Sequence, residues 1–273
     1  MKKGLFAALA AMVLAASGAA AQGLQSHCIA LAQGAFERIT FASFGADLSA
    51  EEVRINYVDH STFLIETPSG RGIATDFAGY VGVDVVPDVV TMNNAHSTHW
   101  TPNPDPRIEH VLRGWGDGDT PADHRLTLDD DILIRNVTTD IRSSFTGQRE
   151  NGNSIFIFEV AGLCIGHLGH LHHEPSEAQY AAIGRLDVVM APVDGGMTLD
   201  LPTMIRVLKR LRASVVLPMH WFGQSTLDRF VAGMSDEFDV EISDGNAITV
   251  SLRGLPRQPT VQVLTPRYFE SPD

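Results

Sequence analysis

Two hydrophobic rhythms share this chain, and the change from one to the other limits the folds open to it. From residue 53 the apolar residues come in short β-type runs at 53–58, 62–66, 73–76 and 85–92. Thr67-Pro68-Ser69-Gly70 makes a turn between the second and third, because Pro fixes φ and Gly tolerates positive φ. Strand patterns return at 126–128, 131–137, 154–160 and 163–167. The second half alternates instead. Helical spacing over 177–185, 201–211 and 224–234 is interleaved with strands at 187–191, 215–219, 240–242 and 247–252. A strand-rich half followed by alternating helices and strands predicts an α/β protein with two sheets packed together and helices outside. Residues 101–125, rich in Pro, Gly and Asp, read as one long surface excursion.

The first 21 residues are of another kind. Lys2 and Lys3 precede an apolar run at 5–16, and Ser17, Gly18 and Ala19-Ala20-Ala21 then supply small side chains. This is the pattern of a secretory signal peptide over 1–21, cut before Gln22. The apolar run falls short of the ~20 residues that cross a bilayer. The expectation is a periplasmic or secreted protein with no integral membrane segment after processing. Residues 22–50 form an N-terminal leader and 51–273 a single domain, a size one α/β core can fill. The formal net charge is −13. Such a surface repels phosphate backbones and excludes nucleic acid as a partner, leaving a small-molecule substrate. Cys28 and Cys164 are the two cysteines. An oxidising compartment permits a disulfide between them, while the apolar setting of Cys164 also suits a buried free thiol.

Eleven histidines stand out by where they fall. His60 follows the run at 53–58. His96 and His99 follow the run ending at Met92. His167, His170, His172 and His173 follow 163–166, and His220 follows 215–219. Histidines delivered by several strand ends suit a metal, since neutral imidazole is a common ligand and rigid strand ends keep its geometry.

The surrounding motifs resemble the metallo-β-lactamase-fold hydrolases, in the branch of ascorbate-6-phosphate lactonase and N-acylphosphatidylethanolamine phospholipase D. Asp59-His60-Ser61-Thr62-Phe63-Leu64-Ile65 is similar to that branch's G-H-S/A-T-F-L-I opening, and Asp76-Phe77 to its T-D-P-F strand end. Asn151-Gly152-Asn153-Ser154-Ile155 resembles G-x-N-x-I/V, and the stretch from His167 to His173 resembles H-L-G-D-L-G-H. Pro192-Val193-Asp194-Gly195-Gly196 is similar to P-V-G-G, and Pro218-Met219-His220-Trp221 to P-M-H-Y. The resemblance spans about 53–223 and implies a four-layer αββα sandwich of two mixed sheets with helices outside.

The metal motif departs from the family's H-x-H-x-D-H. Asn94 stands for its first histidine and Thr98 for its aspartate, while His96 and His99 remain. His170 occupies the place of the bridging aspartate. The histidine of the Y-H-D context is missing, with Asp140 its nearest replacement, and the final histidine is His220. A new histidine at the bridging position argues for a site rebuilt around one ion. The resemblance then implies one divalent metal, zinc first, with manganese, iron or copper also suited, held by His96, His99, His170 and His220. Metal-bound hydroxide would attack an ester, lactone or phosphodiester. Asp140 or Asp59 would carry the proton, with His60 and His173 beside the substrate. Two other readings stay open: a non-catalytic periplasmic metal- or partner-binding protein on the same fold, and a redox or oxygen enzyme.

Overall fold

A computed structural model describes residues 24–29, 48–117, 120–143 and 147–270. The signal peptide expected over 1–21 and most of the leader lie outside the described residues.

Two mixed sheets stack face to face. The first contains β1 (Glu52–Asp59), β2 (Thr62–Glu66), β3 (Gly72–Thr75), β4 (Val89–Met92), β5 (His110–Arg113) and β13 (Ala247–Ser251), in the order β13-β1-β2-β3-β4-β5. The second contains β6 (Arg125–Leu128), β7 (Ile132–Ser143), β8 (Gly147–Val160), β9 (Leu163–His167), β10 (Val188–Pro192), β11 (Val215–Met219), β12 (Asp239–Ile242) and β14 (Thr260–Val263). Its order is β12-β14-β11-β10-β9-β8-β7-β6. Its parallel centre follows from the crossovers through α1 (Glu177–Ile183) and α2 (Leu201–Leu211), because parallel neighbours need a connection long enough to return. α3 (Gln224–Met234) follows β11.

The core lies in three layers of contact. Between the sheets, Val53, Ile55, Phe63, Ile65 and Ile73 meet Ile132, Phe156, Phe158, Ile165, Met190 and Leu217. The outer face of the larger sheet is covered by Ile183 of α1, Met204, Val207 and Leu208 of α2, and Leu227, Phe230 and Met234 of α3. The outer face of the smaller sheet is covered differently. Leu64, Ala74, Val90 and Met92 pack under Phe77, Val81 and Ile108, with Trp100, Trp115 and Phe269 at the margin. Among the described residues, irregular chain does there what the helices do on the other side. None of the described helices is long and apolar enough to cross a membrane.

The helices begin where sequence chemistry places them. Ser176 caps α1 in a reciprocal capping box with Gln179, and the Asp200 side chain accepts from Thr203 N at the start of α2. Two expectations are corrected. The excursion over 101–125 contains β5, a short edge strand pairing parallel with β4. Thr260–Val263 carries no strand expectation, yet as β14 it lies between β11 and β12. Four residues give too short a run for periodicity to register, and the pairing of these two strands is supplied by neighbours distant in sequence.

Cys28 and Cys164 form a disulfide with Cα atoms 5.8 Å apart, tying segment 24–29 to β9. This resolves the choice between a linked pair and a buried thiol. The same segment is held by Glu159 of β8, whose carboxylate accepts from Ser26 Oγ at 2.5 Å and His27 N at 2.9 Å.

Candidate metal centre

At one end of the sandwich, loops leaving β1, β4, β9 and β11 bring six histidine rings together, His172 joining through His170 at 4.7 Å. His99 is the hub, with ring centroids 4.6 Å from His170, 5.2 Å from His220, 5.3 Å from His60 and 5.6 Å from His96. The His60 and His220 rings are 4.1 Å apart. One ligand nitrogen from each of His60, His99 and His220 falls within 4.8 Å of the others.

Each chain turn at this end is sharp. His60 (φ 47°), Asp76 (φ 49°) and His220 (φ 57°) all adopt the left-handed region. Such a conformation costs on the order of 1–3 kcal/mol per non-glycine residue and persists where the surroundings over-determine it. Here Tyr57 Oη donates to His60 O at 2.7 Å, and His220 N donates to the same carbonyl at 2.9 Å. Gly169, at φ 61°, lets the loop after β9 lie on Asn93 and Asn153, where a Cβ would come within 2.5 Å of both side chains.

Behind the histidines stand two buried carboxylates. His99 Nδ1 donates to Asp76 in a very short bond, with Ser61 Oγ at 3.1 Å from the same nitrogen. Burial pushes the Asp76 pKa up, but the adjoining His99 outweighs it and holds the carboxyl at about 2. His220 Nδ1 donates to Asp194 at 2.9 Å. Asp194 also accepts from the backbone N–H groups of Gly196, Met197 and Thr198 and from Thr198 Oγ1. Burial opposes its charge, yet these hydrogen bonds hold the carboxyl well below the usual range. Carboxylates that occupy Nδ1 fix the tautomer and leave Nε2 to a ligand, the usual support behind a metal-binding imidazole.

The remaining nitrogens show which histidines await a partner. His60 Nε2, His99 Nε2 and His170 Nδ1 are buried with no hydrogen-bond partner in the protein. Buried polar groups are almost always paired, so the orphans of His60 and His99, whose ring nitrogens converge with that of His220, fit a cation there. His170 lies outside that group beside His172, whose buried Nε2 is also unpartnered. Burial, reinforced by neighbouring histidines, lowers the pKa of His60 to about 4 and of His170 to about 2, keeping their lone pairs free. His167 is the counterexample. Its Nε2 donates to Ser61 O at 2.8 Å, and its Nδ1 accepts from Asn93 Nδ2 and Gly169 N at 3.1 Å each, so it is a satisfied core residue.

The expected site residues separate as follows. His99, His170 and His220 lie in the cluster, and His60 is inside it rather than beside it. His96 is exposed at its mouth, its Nδ1 3.1 Å from Thr98 Oγ1 and its ring stacked at 5.6 Å on His170. His173 is exposed and makes no ring contact with the cluster. Asp140 sits at a register shift between β7 and β8, where it accepts from Asn151 N at 2.9 Å and Gln148 Nε2 at 2.6 Å. Asp59 lies on the rim and accepts from Tyr268 Oη. Asp194 is one of two carboxylates the sequence reading left without a role, the other being Asp76, noted there only as part of a strand-end motif. The only signal for Asp194 is an acidic residue inside the Pro192-Val193-Asp194-Gly195-Gly196 turn.

Over the cluster opens a cleft of about 670 Å³ lined by Asp59, His60, Tyr80, Trp221, Phe222 and Tyr268, among others.

A family model described as a beta-lactamase superfamily domain matches residues 54–220. No curated protein is significantly similar to the chain. Among solved structures, a proposed Zn-dependent hydrolase of the metallo-beta-lactamase superfamily from Thermotoga maritima is 25% identical with a TM-score of 0.55, over 78% of this chain and 98% of its own. A metallo hydrolase from Ignicoccus hospitalis is 20% identical with a TM-score of 0.54, over 74% of this chain and 99% of its own. A protein from Parabacteroides distasonis is 14% identical with a TM-score of 0.55, over 79% and 94% of the two chains.

Proposed function

Since the chain belongs to the beta-lactamase superfamily, we propose that it is an exported metal-dependent hydrolase of esters, lactones or phosphodiesters. The observation that carries this reading is the pair His99 and His220, each with Nδ1 fixed by a buried carboxylate and each with a ring nitrogen within 4.8 Å of the other's and of His60's, His99 Nε2 being buried with no partner. These two residues anchor a single divalent ion. His60 contributes the nearest third nitrogen, His170 flanks the site with its own unpartnered nitrogen, and His96 stands at the mouth. Nitrogen-only donors of this kind suit zinc first among the divalent metals. Once bound, such an ion supplies Lewis acidity, polarising the substrate's oxygen and lowering the pKa of water.

The protein's own residues do the rest. Asp76 and Asp194 lock two rings in orientation and offset the cation's charge. Tyr57 and the left-handed turns at His60 and His220 keep the donors in place before anything binds. The cleft beside His60 gives substrate room, with Phe222 and Tyr268 in its lining. The divergence at Asn94 and Thr98 removes donors for a second ion, which supports one metal per chain. Export is supported by the Cys28–Cys164 link, because disulfides persist in oxidising compartments.

The test is metal content per chain together with turnover of an ester, lactone and phosphodiester panel. Purified protein should hold close to one divalent ion, and His99→Ala or His220→Ala should lose it along with hydrolysis. Full metal retention in His220→Ala would refute the site. A fully loaded protein inert towards the whole panel would make it a metal-binding module.

A further inference from the structure

The wall of the cleft above the histidines carries information that the metal centre does not. Phe222 stands over the cluster, its ring 5.1 Å from His220 and 5.5 Å from His60. In the same lining, Tyr80 and Tyr268 pair at 5.4 Å. These three rings are 62%, 53% and 43% exposed, an unusual solvent exposure for large aromatic side chains grouped at one mouth. Tyr268 is also held in place. The segment carrying Tyr268 is tied back by Arg267 N to Tyr57 O, Phe269 N to Val81 O and Val83 N to Phe269 O, all near 3 Å. Trp221 lines the same space and packs its ring 5.6 Å from Tyr57.

Charge points the same way. Among the described residues, Asp59 is the one acidic residue lining the cleft, and no lysine or arginine lines it. Arg142, the guanidinium next to the site through His172, is already bound to the carbonyls of Gly196, Met197 and Thr198. The two carboxylates behind His99 and His220 balance a divalent ion's two positive charges, and Asp59 then leaves the cleft with an excess of negative charge. Sites that take phosphoryl groups arrange cations around the oxygens not being attacked. This cleft has none, on a protein of net charge −13.

We infer that the substrate is an uncharged or cationic carboxylic ester or lactone carrying a flat apolar group, which lies between Phe222 and the Tyr80–Tyr268 pair while Asp59 turns anions away. This rests on the hydrolase reading and narrows it: phosphodiesters and acidic esters are excluded. Phe222, Tyr268 and Asp59 become specificity-determining residues. In the reaction class implied, water adds to the acyl carbon, the carbon–oxygen bond of the leaving alcohol breaks, and the alcohol leaves with a proton drawn from that water.

The test compares esters with one leaving group and different charge. The metal-loaded protein should hydrolyse 4-nitrophenyl acetate with kcat/KM at least about tenfold above 4-nitrophenyl hydrogen succinate, the factor expected from one like charge a few ångströms away in a half-exposed cleft. Asp59→Asn should shrink that ratio and Asp59→Lys should abolish it. Phe222→Ala should raise KM for the acetate more than it lowers kcat. Bis(4-nitrophenyl) phosphate should be a poor substrate for all of them. A wild-type preference for the succinate ester or the phosphodiester would overturn the inference and leave the hydrolase reading standing.

A second readout does not depend on turnover. In metal-free protein, neutral 4-nitrobenzyl alcohol should quench tryptophan fluorescence through Trp221, and 4-nitrobenzylphosphonate should do so at least about tenfold more weakly. Equal binding, or a preference for the phosphonate, overturns the inference even if the loaded protein hydrolyses nothing. Selective binding of the alcohol with no hydrolysis would retain the cleft's specificity and sink only the hydrolase reading.

Discussion

Two buried charged networks occupy opposite roles in this molecule, and the contrast separates structure from function. Glu159 is fully buried and its carboxylate is saturated: Oε1 accepts from Ser26 Oγ and Arg135 Nε, and Oε2 from His27 N. Arg135 is equally occupied, donating on to Ala182 O at 2.6 Å and Ile183 O at 2.8 Å at the end of α1. The network joins the N-terminal segment, β7, β8 and α1, next to the Cys28–Cys164 bridge, and its carboxylate and guanidinium are each engaged. Asp76 and Asp194 have side chains as deeply placed, but their networks run into the histidine cluster: Asp76 through His99 to a buried Nε2 with no partner, and Asp194 to His220, whose ring nitrogens lie with those of His60 and His99. A buried carboxylate that ends in a closed set of donors is an anchor. One that ends in an orphaned imidazole is half of a binding site.

The largest effect expected from breaking this contrast falls on the anchor. Glu159→Ala leaves the Arg135 guanidinium buried and unpaired, which costs about 3–5 kcal/mol of stability. Denaturant titration should show that loss, while zinc uptake by the folded fraction stays as in the wild type. A parallel loss of zinc affinity would mean the two networks are coupled. Next in size are Asp194→Asn and Asp76→Asn. Each keeps the shape and weakens the support behind one imidazole, so zinc affinity should fall about 10–100-fold with the fold retained. Competition against a chelator measures it, and an unchanged affinity would remove these carboxylates from the site.

The smallest effect is a pH signature. Burial raises the Glu159 pKa, but hydrogen bonds from Ser26 and Arg135 outweigh it, and the folded value lies below the ordinary 4.5. His27 Nδ1 also faces the carboxylate, at 3.3 Å. A depressed carboxylate stabilises the fold fully above its unfolded pKa and loses that contribution as pH falls through the folded one. Stability should therefore drop below about pH 4.5, and Glu159→Gln, already weaker at neutral pH, should show a shallower acid limb. Equal acid limbs in the two proteins would show that Glu159 does not titrate in this window.

What the sequence alone determined is what lies within a few residues along the chain. Strand β2, helices α2 and α3 and strand β11 are readable because periodicities of two and about 3.6 are local, and caps such as Ser176 and Asp200 act over one turn. The histidines at strand ends were legible for the same reason: a strand followed by His is visible in a short window. Which distant groups meet is settled only when the chain packs. Asp76 reaches His99 across 23 residues, Asp194 reaches His220 across 26, and Cys28 finds Cys164 across 136. His60 joins the cluster because β1 and β11 end side by side, a neighbourhood made when two sheets stack on their shared apolar faces. Tyr268 reaches Asp59 from 209 residues away. Those partnerships are set by packing that sums over the whole core, and no short stretch of sequence contains it.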